Sequence, residues 1–250
     1  MQQEAPVSNF SIYALCCDRA GTVWVGTYSG GVNYYNQAGH RFRFYDPGMQ
    51  GRKTYGIIGP IVEDPDGLWI GTEGGGLIFY HHHENKYAYY LLPGATSRSN
   101  SRNIVKSLIK VGNRLIVGTT QKVLYCFDIE KRQFVETISI PWGSIYYALY
   151  HDDEQNLWIG ATSGSALGYL KPDNRFVHPI PLDGGQVFNP SNVRCILKYK
   201  PGLFFVATAG QGLYLLDEQK GTLRQWKHVP EDTMSLCMNQ VYSVIKTRNN

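Results

Sequence analysis

Three histidines in a row, His81-His82-His83 with Glu84 behind them, are the residues of this 250-residue chain that most resemble a metal site. Consecutive side chains on a strand alternate between its faces, so three neighbours do not converge on one ion. No second group of ligands stands at a spacing that would help, and the stretch reads as an exposed turn. Asp152-Asp153-Glu154 reads as a solvated hairpin turn. Ser163-Gly164-Ser165 lacks the partner pattern of a nucleophile elbow. The five cysteines are Cys16 and Cys17, on opposite faces of one strand, Cys126 and Cys195 in apolar strands, and Cys237 in a loop. They match no zinc or redox spacing and read as small apolar residues of a packed interior. No catalytic group, metal or cofactor is expected.

The remaining chemistry is that of holding a polar molecule. Tyr28, Tyr55, Trp142, Tyr146 and Phe188 offer flat apolar faces of the kind that stack on a pyranose ring. Glu73, Arg98, Arg102, Asn192, Arg194 and Gln211 offer hydrogen bonds to hydroxyls or to a carboxylate. This supply suits a neutral or mildly anionic ligand such as a sugar. The competing reading is structural: Asn103, Asn192 and Asn239 cap turns, and the aromatics fill contacts between elements. Which reading holds depends on the elements that carry these residues.

Those elements repeat. Val23-Trp24-Val25-Gly26-Thr27 returns as Leu68-Trp69-Ile70-Gly71-Thr72, Leu115-Ile116-Val117-Gly118-Thr119, Leu157-Trp158-Ile159-Gly160-Ala161 and Phe204-Phe205-Val206-Ala207-Thr208. From Gly26 through Gly71, Gly118 and Gly160 to Ala207 the steps are 45, 47, 42 and 47 residues, a period that marks a repeat architecture. Each repeat reads as four short strands separated by turns, and no segment carries a helical apolar period. The second strands are apolar on both faces, so each sheet is covered on both sides. The fold class predicted is all-β: a β-propeller of four-stranded blades, with five complete repeats at about 11–45, 55–91, 103–138, 145–180 and 193–226. A first strand of a sixth repeat follows at 239–250. The small residue at the end of each second strand is expected to admit side chains of the next blade, and Asp-x-x-Gly (Asp18 to Gly21, Asp64 to Gly67) to supply a positive φ for a hairpin. Trp24, Trp69 and Trp158 recur at one blade position and are therefore architectural. Loops between blades and loops between second and third strands share one face, where a ligand site is expected.

Composition narrows the function. Tyr (18) and Gly (27) are abundant, as in chains of many short strands. A net charge of +4, with no run of Lys and Arg longer than two, argues against nucleic acid. No apolar run is long enough to cross a membrane as a helix, and the first residues lack the pattern of a signal peptide.

The cadence of Gly67 to Tyr80, and nearly as well of Gly21 to Tyr35, resembles the two-component-regulator propeller repeat, and the likeness extends from Ser11 to Asn250. It weakens in repeat three, where Val111-Gly112-Asn113 replaces Asp-x-x-Gly, and in repeat five, with Lys200-Pro201-Gly202. The resemblance implies the periplasmic sensor region of a hybrid two-component regulator of Bacteroidetes, in which a membrane span, a histidine kinase and a DNA-binding region follow. It further implies an oligosaccharide ligand, self-association as a homodimer and signalling by altered dimer packing. Contact with membrane would come only through the downstream regions, and this segment would be neither an enzyme nor a nucleic-acid binder.

Two alternatives stay open. One is a scaffold propeller that binds a partner protein; the other, less favoured because histidines do not recur at inner-strand starts, is a propeller lyase. Because the leftover strand at 239–250 is of the innermost type, the 250 residues are expected to be an excerpt of a larger, seven-bladed ring.

Overall fold

The computed structural model describes residues 7, 11–28, 31–36, 41–45, 57–96 and 102–246. They form short antiparallel strands, with one 3-10 turn, Asp183–Gly185, as the helical element among them. The first sheet is β1 (Ile12–Cys17), β2 (Val23–Thr27), β3 (Val32–Asn36) and β4 (Arg41–Tyr45). The second is β5 (Ile57–Asp64), β6 (Gly67–Glu73), β7 (Leu77–His81) and β8 (Lys86–Tyr90). The third is β9 (Val105–Val111), β10 (Arg114–Thr119), β11 (Val123–Asp128) and β12 (Gln133–Ser139). The fourth is β13 (Tyr146–His151), β14 (Leu157–Ala161), β15 (Leu167–Leu170) and β16 (Phe176–Val177). A hairpin of β17 (Ile180–Pro181) and β18 (Val187–Phe188) precedes the fifth sheet, β19 (Val193–Lys200), β20 (Leu203–Thr208), β21 (Leu213–Asp217) and β22 (Thr222–Trp226).

Each four-stranded sheet pairs its strands in chain order. These five up-and-down sheets are blades of a β-propeller. The chain divides into two compact units, Met1–Thr120 with Tyr125–Thr137, and Gln121–Leu124 with Ile138–Asn250. Within the first, the inner strand β5 packs beside both β1 and β9; within the second, β13 packs beside β19.

The repeated glycine explains how blades meet. A Cβ on Gly26 would lie 2.7 Å from Ile58 Cγ2, on Gly71 2.5 Å from Val105 Cγ1, and on Gly160 2.5 Å from Val193 Cγ1. Each of those partners sits near the start of the next blade's inner strand, so the glycine leaves the seat that its neighbour's branched side chain fills. The apolar side chains around the seats are closed off. Trp24, Val32, Ile58, Leu68, Ile70, Ile78 and Tyr80 form one buried cluster across the first two blades. Full burial of each Leu, Ile or Val contributes about 1.5–3 kcal/mol. Thr27, Thr72 and Thr208 each donate a hydroxyl to the carbonyl four residues on, Gly31, Gly76 and Gly212, at 2.8–2.9 Å. This closes the turn between second and third strands in three blades.

Some expectations change. Gly21 has φ +82°, as its turn requires, but Gly67 does not occupy the left-handed region; a Cβ there would lie 1.9 Å from Tyr80 O. Gly67 is glycine for close strand approach. The fourth strand of repeat four stops at Val177 rather than Ile180, because Pro179 has no N–H to continue the ladder. Ile180 instead begins the extra hairpin inside a stretch expected to be loop, and Asp183 N in its turn donates to Gly221 O at 2.8 Å. The leftover inner strand is reduced to a single bridge, Ala209 to Gln240, with no strand over residues 241–246. Asp152 is not solvated: it is 2% exposed and takes up hydrogen bonds inside the fourth blade.

Candidate functional site

The inner strands share an irregularity at one end. In β1 the register steps from Ile12–Thr27 to Ala14–Gly26, which leaves Tyr13 as an extra residue. The same step leaves Lys106 extra in β9, Tyr147 in β13 and Arg194 in β19. In β5 two residues, Gly59 and Pro60, stand against Gly71. Every described inner strand therefore carries a β-bulge at the same position of its own sheet's register, opposite the small residue of the second strand. A bulge bends its strand and re-aims the side chain it carries. The residue after it is small (Ala14, Ser107, Ala148, Cys195) because it faces the glycine or alanine of the second strand; Ala148 Cβ would lie 2.9 Å from a Cβ on Gly160.

The bulge residues gather polar and aromatic chemistry. In the first unit, the Tyr13 and Tyr28 rings lie 5.7 Å apart and both are exposed. Lys106 pairs with Glu73, and both side chains keep only a small exposed area. In the second unit the Arg194 guanidinium lies over the Tyr147 ring, 3.9 Å from its centroid, and reaches 5.9 Å from the ring of Tyr242. Tyr242 follows Val241, whose N–H bonds Thr208 O, so it occupies the bulge level of the next inner segment. Arg194 Nε is buried with no hydrogen-bond partner among the described residues. A guanidinium held on aromatic faces with a donor unused is suited to a carboxylate or a vicinal diol.

The other sequence candidates divide by burial. Trp142 is buried and stacks on the His178 ring at 4.3 Å and 12°. Tyr146 is fully buried, its hydroxyl donates to Trp142 O at 3.2 Å, and burial pushes that hydroxyl up to about 12. Phe188 is buried against Tyr214. Asn192 has φ +51° and its carbonyl accepts from Ala209 N at 2.9 Å. Gln211 accepts from Ser191 N at 2.7 Å. Arg102 is exposed and close enough to Tyr125 to oppose the burial-driven rise in that tyrosine's pKa. Tyr55 and Arg98 lie outside the described residues. Of the eleven candidates, Tyr28 and Glu73 stand beside the bulge residues Tyr13 and Lys106 in the first unit, and Arg194 is itself a bulge residue beside Tyr147 and Tyr242 in the second; Tyr13, Lys106, Tyr147 and Tyr242 were not singled out by sequence. The available signal was position: each of Tyr13, Lys106 and Tyr147 immediately precedes the small residue opposite the repeat's glycine.

The asparagines are structural clamps. Asn103, wholly buried, accepts Gly74 N and Gly76 N on its carbonyl and Leu92 N on its side chain. Asn239 does the same for Gly210 N, Gly212 N and His228 N. Each ties the turn and exit of one blade to the entry of the next. The histidine run is exposed only in part, against the expectation of an exposed turn: His81 ends β7 and packs edge-on to Phe79, His82 lies parallel to Trp24 in the turn, and His83 is exposed. Among the described residues no three His, Cys, Asp or Glu side chains come together as a metal site, and no helix is long and apolar enough to cross a membrane.

Comparison with known proteins agrees with the propeller fold. The family model described as two component regulator propeller matches residues 7–29. No curated protein sequence matches the chain. Among solved structures the chain is similar to the extracellular domain of BT3049 from B. thetaiotaomicron, assigned as a hybrid two component system, at 23% identity and TM-score 0.67 over 87% of this chain and 30% of that one. It is similar to PorZ, a surface component of the type-IX secretion system of Porphyromonas gingivalis, at 16% identity and TM-score 0.73 over 97% and 37%. It is also similar to virginiamycin B lyase from Staphylococcus aureus, at 12% identity and TM-score 0.68 over 92% and 74%. At these identities the likeness is one of fold, and the chain spans 30% of the length of the BT3049 domain. Its fold is that of a propeller akin to the extracellular domains of hybrid two-component systems.

Proposed function

We propose that this propeller segment belongs to the extracytoplasmic, periplasmic sensor of a hybrid two-component regulator and takes part in binding an oligosaccharide. The observation that carries the reading is Arg194, the bulge residue of its inner strand, stacked on Tyr147 beside Tyr242. Tyrosine faces receive the apolar side of a sugar ring, while the guanidinium receives a carboxylate or paired hydroxyls. Binding would bias two arrangements of a homodimer, and the shift in their populations would pass the signal across the membrane; this segment itself would carry out no catalysis.

The test is calorimetric titration of the full extracytoplasmic region with neutral oligosaccharides and their uronic-acid counterparts, repeated on Arg194→Ala and Tyr147→Ala. Saturable binding that weakens at least tenfold in both variants, with light scattering changing on ligand addition, is the expected result. Binding that survives both substitutions would remove this cluster from the site. Binding of a partner protein in place of any saccharide would favour a scaffold.

A further inference from the structure

In two blades the repeated tryptophan has an internal partner for its indole N–H. Trp24 Nε1 donates to Asp18 Oδ2 and Trp158 Nε1 to Asp152 Oδ2, both at 2.8 Å and both six residues apart. The second blade breaks this pattern. Cys17–Val23 and His151–Leu157 are the last strand pairs before five-residue turns that begin with the aspartate, whereas Asp64 is itself paired with Gly67 across a two-residue turn. The Asp64 carboxylate is engaged elsewhere: Oδ2 holds Lys110 Nζ at 2.5 Å, and Oδ1 stands 3.5 Å from Asp66 N. Trp69 is fully buried, and its Nε1 has no hydrogen-bond partner among the described residues.

A second orphan lies on the same ring. The Arg132 guanidinium sits over Trp69 at 5.1 Å from the centroid and over Phe79 at 4.5 Å, and its Nη1 is likewise buried with no partner. Arg132 makes no ion pair among the described residues, while Asp64 is paired with Lys110 and Asp128 with Lys131. Neither of those carboxylates therefore serves as a counter-charge for Arg132, which lies over an indole of the kind that elsewhere in this chain meets a carboxylate. Water would satisfy the donors but not the charge, and a partly buried cation without a counter-charge is costly.

We infer that the contact between the second and third blades is a binding site for a small monovalent anion, chloride or a single carboxylate group, held by Trp69 Nε1–H and the Arg132 guanidinium. The anion stands in for the aspartate that the shortened turn withholds, and it fixes Arg132 on the Trp69 and Phe79 faces.

The test is thermal unfolding in sodium chloride, acetate and gluconate at equal ionic strength, with chloride-35 line widths measured on the same unmodified chain. Binding to the folded state raises the midpoint with anion concentration. The expected result is a dose-dependent rise in chloride or acetate beyond gluconate, with broadened chloride-35 lines if chloride is the occupant. Both responses should be lost in Trp69→Phe and Arg132→Met and kept in Trp158→Phe. A rise in acetate alone would assign a carboxylate. Identical midpoints in all three salts with unbroadened lines would overturn the site, as would an anion response that Trp69→Phe leaves intact.

Discussion

Asp152 Oδ2 accepts the indole proton of Trp158 at 2.8 Å, and the same carboxylate holds Asn156 N at 2.7 Å and Asn156 Nδ2 at 3.0 Å. One buried acid thus fixes both the turn between the first two strands of its blade and the largest side chain of the second. Its net charge is tolerated because three donors converge on it. Asp18 repeats the arrangement with Thr22 N at 2.8 Å and Trp24 Nε1 at 2.8 Å.

Asp152→Ala leaves several donors buried without an acceptor, and each such donor costs about 1–3 kcal/mol. The expected loss is about 3 kcal/mol, measured by urea unfolding. Trp158→Phe in the Asp152→Ala background should cost less than in the native chain, because the bond is already gone. Additive effects would contradict the coupling.

The glycine seats should tolerate no side chain. Gly160→Ala puts a Cβ 2.5 Å from Val193 Cγ1 and 2.9 Å from Ala148 Cβ, an overpacking worth about 1–3 kcal/mol. Val193→Ala added to Gly160→Ala should recover part of that loss although Val193→Ala alone destabilises. Gly21→Ala is a different case: φ is +82° with nothing within 4 Å, so only the backbone preference is lost, about 1 kcal/mol. Unfolding midpoints of the four variants check the ranking.

Thiol reactivity should follow burial. Cys126 is buried and Cys16 half-buried; burial is the main cause that pushes both thiols up to about 11, and it raises Cys195 as well. At pH 8 these three are protonated and shielded. Cys17 and Cys237 are exposed. Brief treatment of the native chain with iodoacetamide should label those two positions by peptide mass, and all five cysteines after denaturation. Early labelling at Cys126 would place it differently.

Glu218 gives a pH dependence of definite sign. Burial raises its carboxyl, with Asp152 and Glu154 adding to the rise, while the Tyr169 hydroxyl bonded to it opposes. A carboxyl raised in the folded state favours the protonated form, so its contribution is full below the ordinary glutamate range and is lost as pH climbs through the raised value. Glu218→Gln should therefore raise the melting temperature at pH 7.5 and leave it nearly unchanged at pH 4. A substitution that destabilises at both pH values would show that the charge is well compensated.

The sequence by itself determined the repeat, the four-strand blade and the roles of the recurring second-strand glycine and tryptophan. A period near 45 residues, filled by short strands between turns and without a helical apolar period, selects one up-and-down sheet per repeat over a helical repeat of the same length. A glycine that recurs in four of the five second strands signals a close approach, as Gly26, Gly71 and Gly160 make against Ile58, Val105 and Val193. Tryptophans at a fixed blade position had to be packing residues, and Trp69 and Trp158 are wholly buried.

What only the tertiary structure decided was register and partnership. A bulge is a mismatch between two strands, so no single strand names Tyr13, Lys106, Tyr147 or Arg194 as its extra residue. A turn two or five residues long looks alike in Asp-x-x-Gly, yet that length decides whether the aspartate reaches its tryptophan, as Asp18 does, or turns to a lysine, as Asp64 does; Asp152 reaches Trp158 from a five-residue turn without that motif. Loop aromatics such as Trp142, Tyr146 and Phe188 read alike as stacking platforms or as packing. Their burial depends on contacts with His178, Trp142 O and Tyr214 at some distance along the chain, which local sequence does not encode.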